Sequence, residues 1–174
     1  MMRLFIAINF DQETKRNIIA VQQRLRQLGP GNFSPPENLH LTLVFLGEVA
    51  PERVAAVQSA MDLTAVRPMT LAFDHVGCFE RDGSDIWWFG LEENNLLMSM
   101  RKDLSGHLSD AGFRLESRRF LPHMTLAREV RLTTPPDRGA LLEKPFVTQA
   151  NAISLMCSDR IGSRIAYTEL YRKG

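Results

Sequence analysis

Two cysteines in 174 residues cannot build a disulfide framework, and Cys78 and Cys157 lack the close spacing of a zinc motif. Both are expected to be buried free thiols. An excess of one charge is missing too: the net charge is +1, so any nucleic-acid contact should be local, a few basic side chains around a cleft. No apolar run approaches the roughly 18 residues of a membrane span, and the stretch Arg3 to Phe10 is too short for a secretory leader with its cleavage site. Gly29-Pro30-Gly31 has neither the lysine nor the spacing of a phosphate loop and reads as a helix stop, so nothing points to ATP. The expectation is a cytoplasmic protein with no membrane association and no obligate protein partner.

What is present is ordinary globular composition, 44% hydrophobic and 24% charged, in a length that predicts one domain or two small lobes sharing a core. Arg3–Phe10 is apolar and β-branched and reads as a strand. Ile18, Val21, Leu25 and Leu28 recur at helical spacing over 13–28, with Asp11 placed to cap. Leu39–Leu46 reads as a strand closed by Gly47, and Pro51 opens a second helix carrying Val54, Ala55, Val57 and Met61. Strands over 69–79 and 86–91 are joined through Arg81-Asp82-Gly83-Ser84. A third helix over 94–111 places Leu97, Met100, Leu104 and Leu108 on one stripe before Gly112. A strand near 124–127, a polar connection and two late strands over 150–157 and 164–171 complete the chain. This order favours α+β with antiparallel sheets over a wound parallel sheet.

The sequence also repeats itself. Leu39-His40-Leu41-Thr42-Leu43 corresponds to Pro122-His123-Met124-Thr125-Leu126, an offset of 123 − 40 = 83 residues, and each copy follows a helix and a loop. Two similar lobes facing one another would bring both histidines to a shared cleft. In a strand, residues two apart share a face. His40 and Thr42 are therefore predicted on one face, with Leu39, Leu41, Leu43 and Phe45 on the other; His123 and Thr125 repeat the arrangement, with Met124 and Leu126 turned inward.

Imidazole is the side chain whose ordinary pKa lies near neutral pH, so two of them can divide acid and base work. In phosphodiester cleavage one takes a proton from attacking water while the other gives one to the departing oxygen, each role typically contributing about 10²–10⁴ in rate. Threonine hydroxyls supply donors to non-bridging phosphate oxygens. The motifs provide neither the carboxylate pair of glycoside hydrolysis nor a serine or cysteine triad. Arg128 adds a guanidinium suited to phosphate, but strict alternation turns it away from His123 unless the strand bulges or ends near Ala127. The alternative of a zinc ion held by His40, His123 and one of His75, His107 or Cys157 matches no known ligand spacing.

With both motifs in place, the sequence resembles the two-histidine phosphoesterase family, and within it the bacterial RNA 2',3'-cyclic phosphodiesterase branch, also called 2'-5' RNA ligase. The resemblance runs from Arg3-Leu4-Phe5-Ile6-Ala7-Ile8 through Asn38 to Gly47 and Pro122 to Arg128, and on to Ser154-Leu155 and Tyr167-Thr168-Glu169-Leu170. It implies a single bilobal α+β domain over 1–174: two antiparallel sheets with flanking helices, related by a pseudo-twofold, and a cleft between the lobes. It implies opening of RNA 2',3'-cyclic phosphate ends to 2'-phosphates, and ATP-independent 2'-5' joining of tRNA halves, without metal or organic cofactor. His40 would then be proton donor and His123 acceptor, with Thr42, Thr125 and Arg128 on the phosphate. Phe10, Phe45, Arg118, Arg119 and Phe120 are candidates for base or backbone contacts at the cleft rim. Two rival readings stay open: a phosphodiesterase for small cyclic nucleotides or ADP-ribose cyclic phosphate, and a non-catalytic protein that only holds RNA ends.

Overall fold

The computed structural model describes residues 1–174 and contains two antiparallel sheets. Strand β1 (Met2–Asn9) leads into helix α1 (Gln12–Arg26), capped by Asp11, whose carboxylate accepts from the Thr14 amide at 2.8 Å. After the two-residue β2 (Asn32–Phe33) the chain enters β3 (His40–Val49). Pro51 opens a short 3₁₀ turn that runs into α2 (Val54–Leu63). Strands β4 (Met69–Phe79) and β5 (Asp85–Leu91) precede α3 (Asn95–Asp110), which Asn94 caps and after which Gly112 turns the chain at φ +82°. Then come β6 (His123–Val130), a short α4 (Arg138–Leu142), β7 (Phe146–Ala150), β8 (Ile153–Ile161) and β9 (Arg164–Lys173).

The four-stranded sheet has the order β3-β1-β8-β9, and the five-stranded sheet β2-β6-β5-β4-β7. Each motif strand pairs with the strand that precedes its helix: β1, α1 and β3 in one half, β5, α3 and β6 in the other. This is the pseudo-twofold expected from the 83-residue repeat. Two of the helices, α1 and α3, are however exchanged. α1 packs against β6, β7 and α4 of the five-stranded sheet, its buried Thr14 hydroxyl bonded to Thr148 on β7, whereas α3 packs against β3 and α2 against β9. One cluster of 36 buried side chains therefore runs through both lobes.

Three expectations need correction. The segment taken as a polar connection holds α4 and β7; β7 is a sheet edge that pairs only with β4. The late strand does not begin at Ala150, because Asn151 and Ala152 separate β7 from β8. Phe10 is not at the cleft rim: it is 8% exposed and packs edge-on against Phe73 in the core, so no base can stack on it. No helix is long and apolar enough to cross a membrane.

Candidate active site

β3 is the outer strand of its sheet and lies against β6 of the other. β2 covers only Ala127 and Arg128 of β6, so the His123 end of that strand is left facing β3. Both histidines start their strands and are half-buried, and each is tethered in the same way. Nδ1 of His40 bonds the Asn38 carbonyl at 2.7 Å, and Nδ1 of His123 bonds the Leu121 carbonyl at 2.7 Å. A carbonyl only accepts, so Nδ1 carries the hydrogen and Nε2 is the nitrogen left for chemistry. At His40 that Nε2 meets the Thr42 hydroxyl at 3.0 Å.

Alternation holds as far as the threonines and then fails in both strands at the same place. Ala7 pairs with Thr42 but Ile6 with Val44, leaving Leu43 unmatched; Trp88 pairs with Thr125 but Trp87 with Ala127, leaving Leu126 unmatched. Each extra residue is a β-bulge. Leu43 and Val44 are consequently both buried, as are Leu126 and Ala127, and the next residues, Phe45 and Arg128, turn to the histidine face. Phe45 is thus not in the core, as strict alternation predicted, but 41% exposed with the Arg3 guanidinium 5.1 Å from its ring centre. Arg128 meets the stated condition, a bulge beside Ala127, and lies close enough to His40 to oppose its protonation.

The carbonyls at the bulges take donors from the exchanged helices, that of Leu126 in addition to the Ser34 amide at 3.1 Å. Gln22 on α1 donates to the Leu126 carbonyl at 2.9 Å and to the Ser34 carbonyl at 2.8 Å; Arg101 on α3 donates to the Leu43 carbonyl at 3.4 Å. Each lobe therefore braces the motif strand of the other.

Aromatic rings wall each imidazole. Phe5 and Tyr167 lie 4.8 and 5.1 Å from the His40 ring, and Phe79 and Trp88 lie 5.5 and 5.9 Å from that of His123. None of these four was a site candidate in the sequence, because they come from β1, β9, β4 and β5 and only the sheet register brings them to the histidines. Burial pulls His40 from its ordinary 6.5 down to about 4, and the charges of Arg128 and Lys15 act in the same direction, against the bond to Asn38. At neutral pH the resting His40 is uncharged and accepts from Thr42. Burial likewise raises the Tyr167 hydroxyl above its usual range.

The remaining candidates divide. Arg118 is exposed, 3.6 Å from Glu116, and lines an open pocket of about 520 Å³ with Cys78, Phe79, Glu80 and Arg81; Phe79 joins that pocket to His123. Arg119 is exposed. Phe120 is partly buried against the core, with the Arg101 guanidinium 4.9 Å from its ring centre. No three His, Cys, Asp or Glu side chains converge, so the zinc constellation does not form; His107 lies between α2 and α3, and Cys157 is buried on β8. Burial pushes the Cys78 thiol up to about 11, which leaves it a poor nucleophile.

Two antiparallel sheets whose His-x-Thr strands, β3 and β6, pack against one another are the architecture of a two-histidine phosphoesterase. The chain belongs to the 2'-5' RNA ligase superfamily, whose family model matches residues 14–160. It is 31% identical to an RNA 2',3'-cyclic phosphodiesterase of Archaeoglobus fulgidus over 75% of this chain and 74% of that one. Identity is 32% to the protein of the same description from Thermotoga maritima, over 73% and 70%. Among solved structures it resembles Escherichia coli LigT complexed with 3'-AMP, with a TM-score of 0.83 and 28% identity over 99% of this chain and 97% of that one.

Proposed function

We propose that this protein hydrolyses RNA 2',3'-cyclic phosphate ends to 2'-phosphates, with His40 as proton donor and His123 as acceptor, and that residues 1–174 act as a single domain. The observation that carries the reading is the matched tethering of the two imidazoles, which leaves both Nε2 atoms available on strands that pack together. In the reaction, His123 Nε2 takes a proton from water as the water oxygen bonds phosphorus. The P–O3' bond breaks, and His40 Nε2 delivers its proton to O3'. The Thr42 and Thr125 hydroxyls and the Arg128 guanidinium hold the non-bridging oxygens as charge builds.

His40 is uncharged at rest, so it takes up its proton from solvent as the substrate binds. A phosphate anion in the cleft attracts the imidazolium and so opposes the burial, and the smaller repulsion from Arg128 and Lys15, that keep His40 uncharged at rest. An RNA 5'-hydroxyl in place of water gives a 2'-5' linkage by the same proton transfers, without ATP, and tRNA halves are the substrate class with both ends. The names of the relatives and the two free cysteines support an RNA substrate and a reducing, cytoplasmic setting.

The test is incubation, in chelator, with an oligonucleotide ending in a 2',3'-cyclic phosphate. A 2'-phosphate product is expected, with loss of about 10²-fold or more in kcat for His40→Ala and for His123→Ala while the fold is retained. A folded wild-type protein without turnover across the pH range refutes the reading.

A further inference from the structure

β4 carries a third histidine that the mechanism above does not use. Phe73 pairs with Leu91 and His75 with Gly90, so Asp74 is the extra residue of another bulge. Phe73 and Val76 are both buried, at 0% and 4% exposure, and between them Asp74 and His75 turn to the cleft face although they are consecutive. The bulge has a chemical result: the Asp74 carboxylate accepts the hydrogen of His75 Nδ1. In the neutral ring, Nε2 is then a bare acceptor.

The direction of that acceptor is also set. The His75 ring lies over Gly90, where any side chain would collide with Nε2 and Cε1, and it meets Trp88 edge-on at 5.6 Å. Gly90 is the register partner of His123, and Trp88 touches the rings of both histidines. His75, Gly90 and His123 thus form one row across three strands, with the imidazole laid over the gap that glycine leaves. β4 and β5 lie on the side of β6 away from β2, so His75 approaches His123 from within the five-stranded sheet while His40 approaches from the other sheet.

We infer that His75, held by Asp74, determines which nucleophile is used at His123, favouring water over an alcohol; this rests on His123 being the base. Water has two hydrogens. One goes to His123 Nε2 as the oxygen bonds phosphorus, and the second is donated to His75 Nε2. An alcohol, including an RNA 5'-hydroxyl, has a single O–H; once that is given to His123, the His75 acceptor faces carbon and loses the hydrogen bond that water supplies. His75 is therefore a specificity residue that biases the cleft toward hydrolysis and against 2'-5' transfer.

Methanol competition tests this. A cyclic-phosphate oligonucleotide is turned over in buffer containing methanol, and the ratio of 2'-phosphate to 2'-methyl phosphodiester is read by phosphorus NMR. In methanolysis the methanol oxygen bonds phosphorus, P–O3' breaks, His123 takes the methanol proton and O3' receives one from His40, so both products need the same pair. His75→Leu should shift the ratio toward the methyl ester by about threefold to tenfold, the equivalent of one hydrogen bond. His75→Gln, which keeps an acceptor oxygen, should restore part of the water share, and Asp74→Asn should shift the ratio in the same sense as His75→Leu. An unchanged ratio in both His75→Leu and Asp74→Asn, with or without a uniform loss of rate, overturns this inference alone. Absence of wild-type turnover overturns the proposed function and this inference with it.

Discussion

His40 and His123 share a motif, a tether and a strand position, yet they do not share an environment. His40 is covered by Phe5 and Tyr167 and sits within reach of Arg128 and Lys15, which is why it is held down to about 4. The sign of the consequence for stability is fixed. The unfolded chain takes up a proton at this residue as pH falls through about 6.5, the folded one only near 4, so stability is intact above 6.5 and lost between those values, by up to about 3 kcal/mol. Urea midpoints at pH 7.5 and 4.5 measure it: His40→Gln should lose less stability over that interval than the wild type, and equal losses refute the assigned burial effect. Arg128 offers a second test at the same residue. Arg128→Gln removes a repulsive charge, so His40 should titrate at higher pH by imidazole NMR while KM for a cyclic-phosphate oligonucleotide rises about tenfold or more. A fixed His40 titration would mean that the guanidinium does not face it.

Between residues and lobes, the bulges decide what the cleft contains. Gln22 and Arg101 reach the carbonyls at these bulges, and Gln22 ties the Leu126 carbonyl, which the Ser34 amide also bonds, to that of Ser34, so both side chains belong to the motifs as much as the leucines they bond. Gln22 is 5% exposed and its amide serves both the Leu126 and Ser34 carbonyls. Gln22→Leu should destabilise the protein by about 1–3 kcal/mol in urea unfolding and lower kcat by loosening His123 and Thr125; a neutral result would show that water replaces the amide. The elements that periodicity can describe were legible in the sequence. The three long helices, β4 and the His-x-Thr faces follow from spacings of 3.6 and 2, and Asp11 and Gly112 mark helix ends by their chemistry. Phe45 was misplaced and Arg128 placed only on condition of a bulge, because a period of two breaks where Leu43 and Leu126 are inserted, and its sequence trace is only the adjacent apolar pairs Leu43-Val44 and Leu126-Ala127. β7 escaped notice because Phe146–Ala150 is a five-residue edge strand directly after Pro145, too short for alternation to stand out.

At the scale of the molecule, the 83-residue repeat announced two lobes but not the exchange of their helices, since a helix's apolar face reveals that it is buried without revealing against what. That exchange makes the halves dependent on each other. α1 follows a strand of the four-stranded sheet and covers the five-stranded one, α3 does the reverse, and the core is one cluster of 36 residues. α2 and α4 stay with the sheets of their neighbouring strands, but α1 and α3 each cover the sheet of the other half, so a cleft opening wide enough to separate the lobes would expose core. The chain should accordingly unfold in one step. Trp87 and Trp88 both lie on β5 and report the five-stranded sheet by fluorescence, while in a Cys78→Ser background the buried Cys157 thiol on β8 reports the four-stranded sheet by its reactivity. Under a urea gradient the two signals should change at the same midpoint with the same slope, and far-UV circular dichroism should follow them. Resolved midpoints would mean that each sheet keeps a core of its own, and the bracing of each motif strand by the opposite lobe would then have to be weaker than the bonds of Gln22 and Arg101 imply.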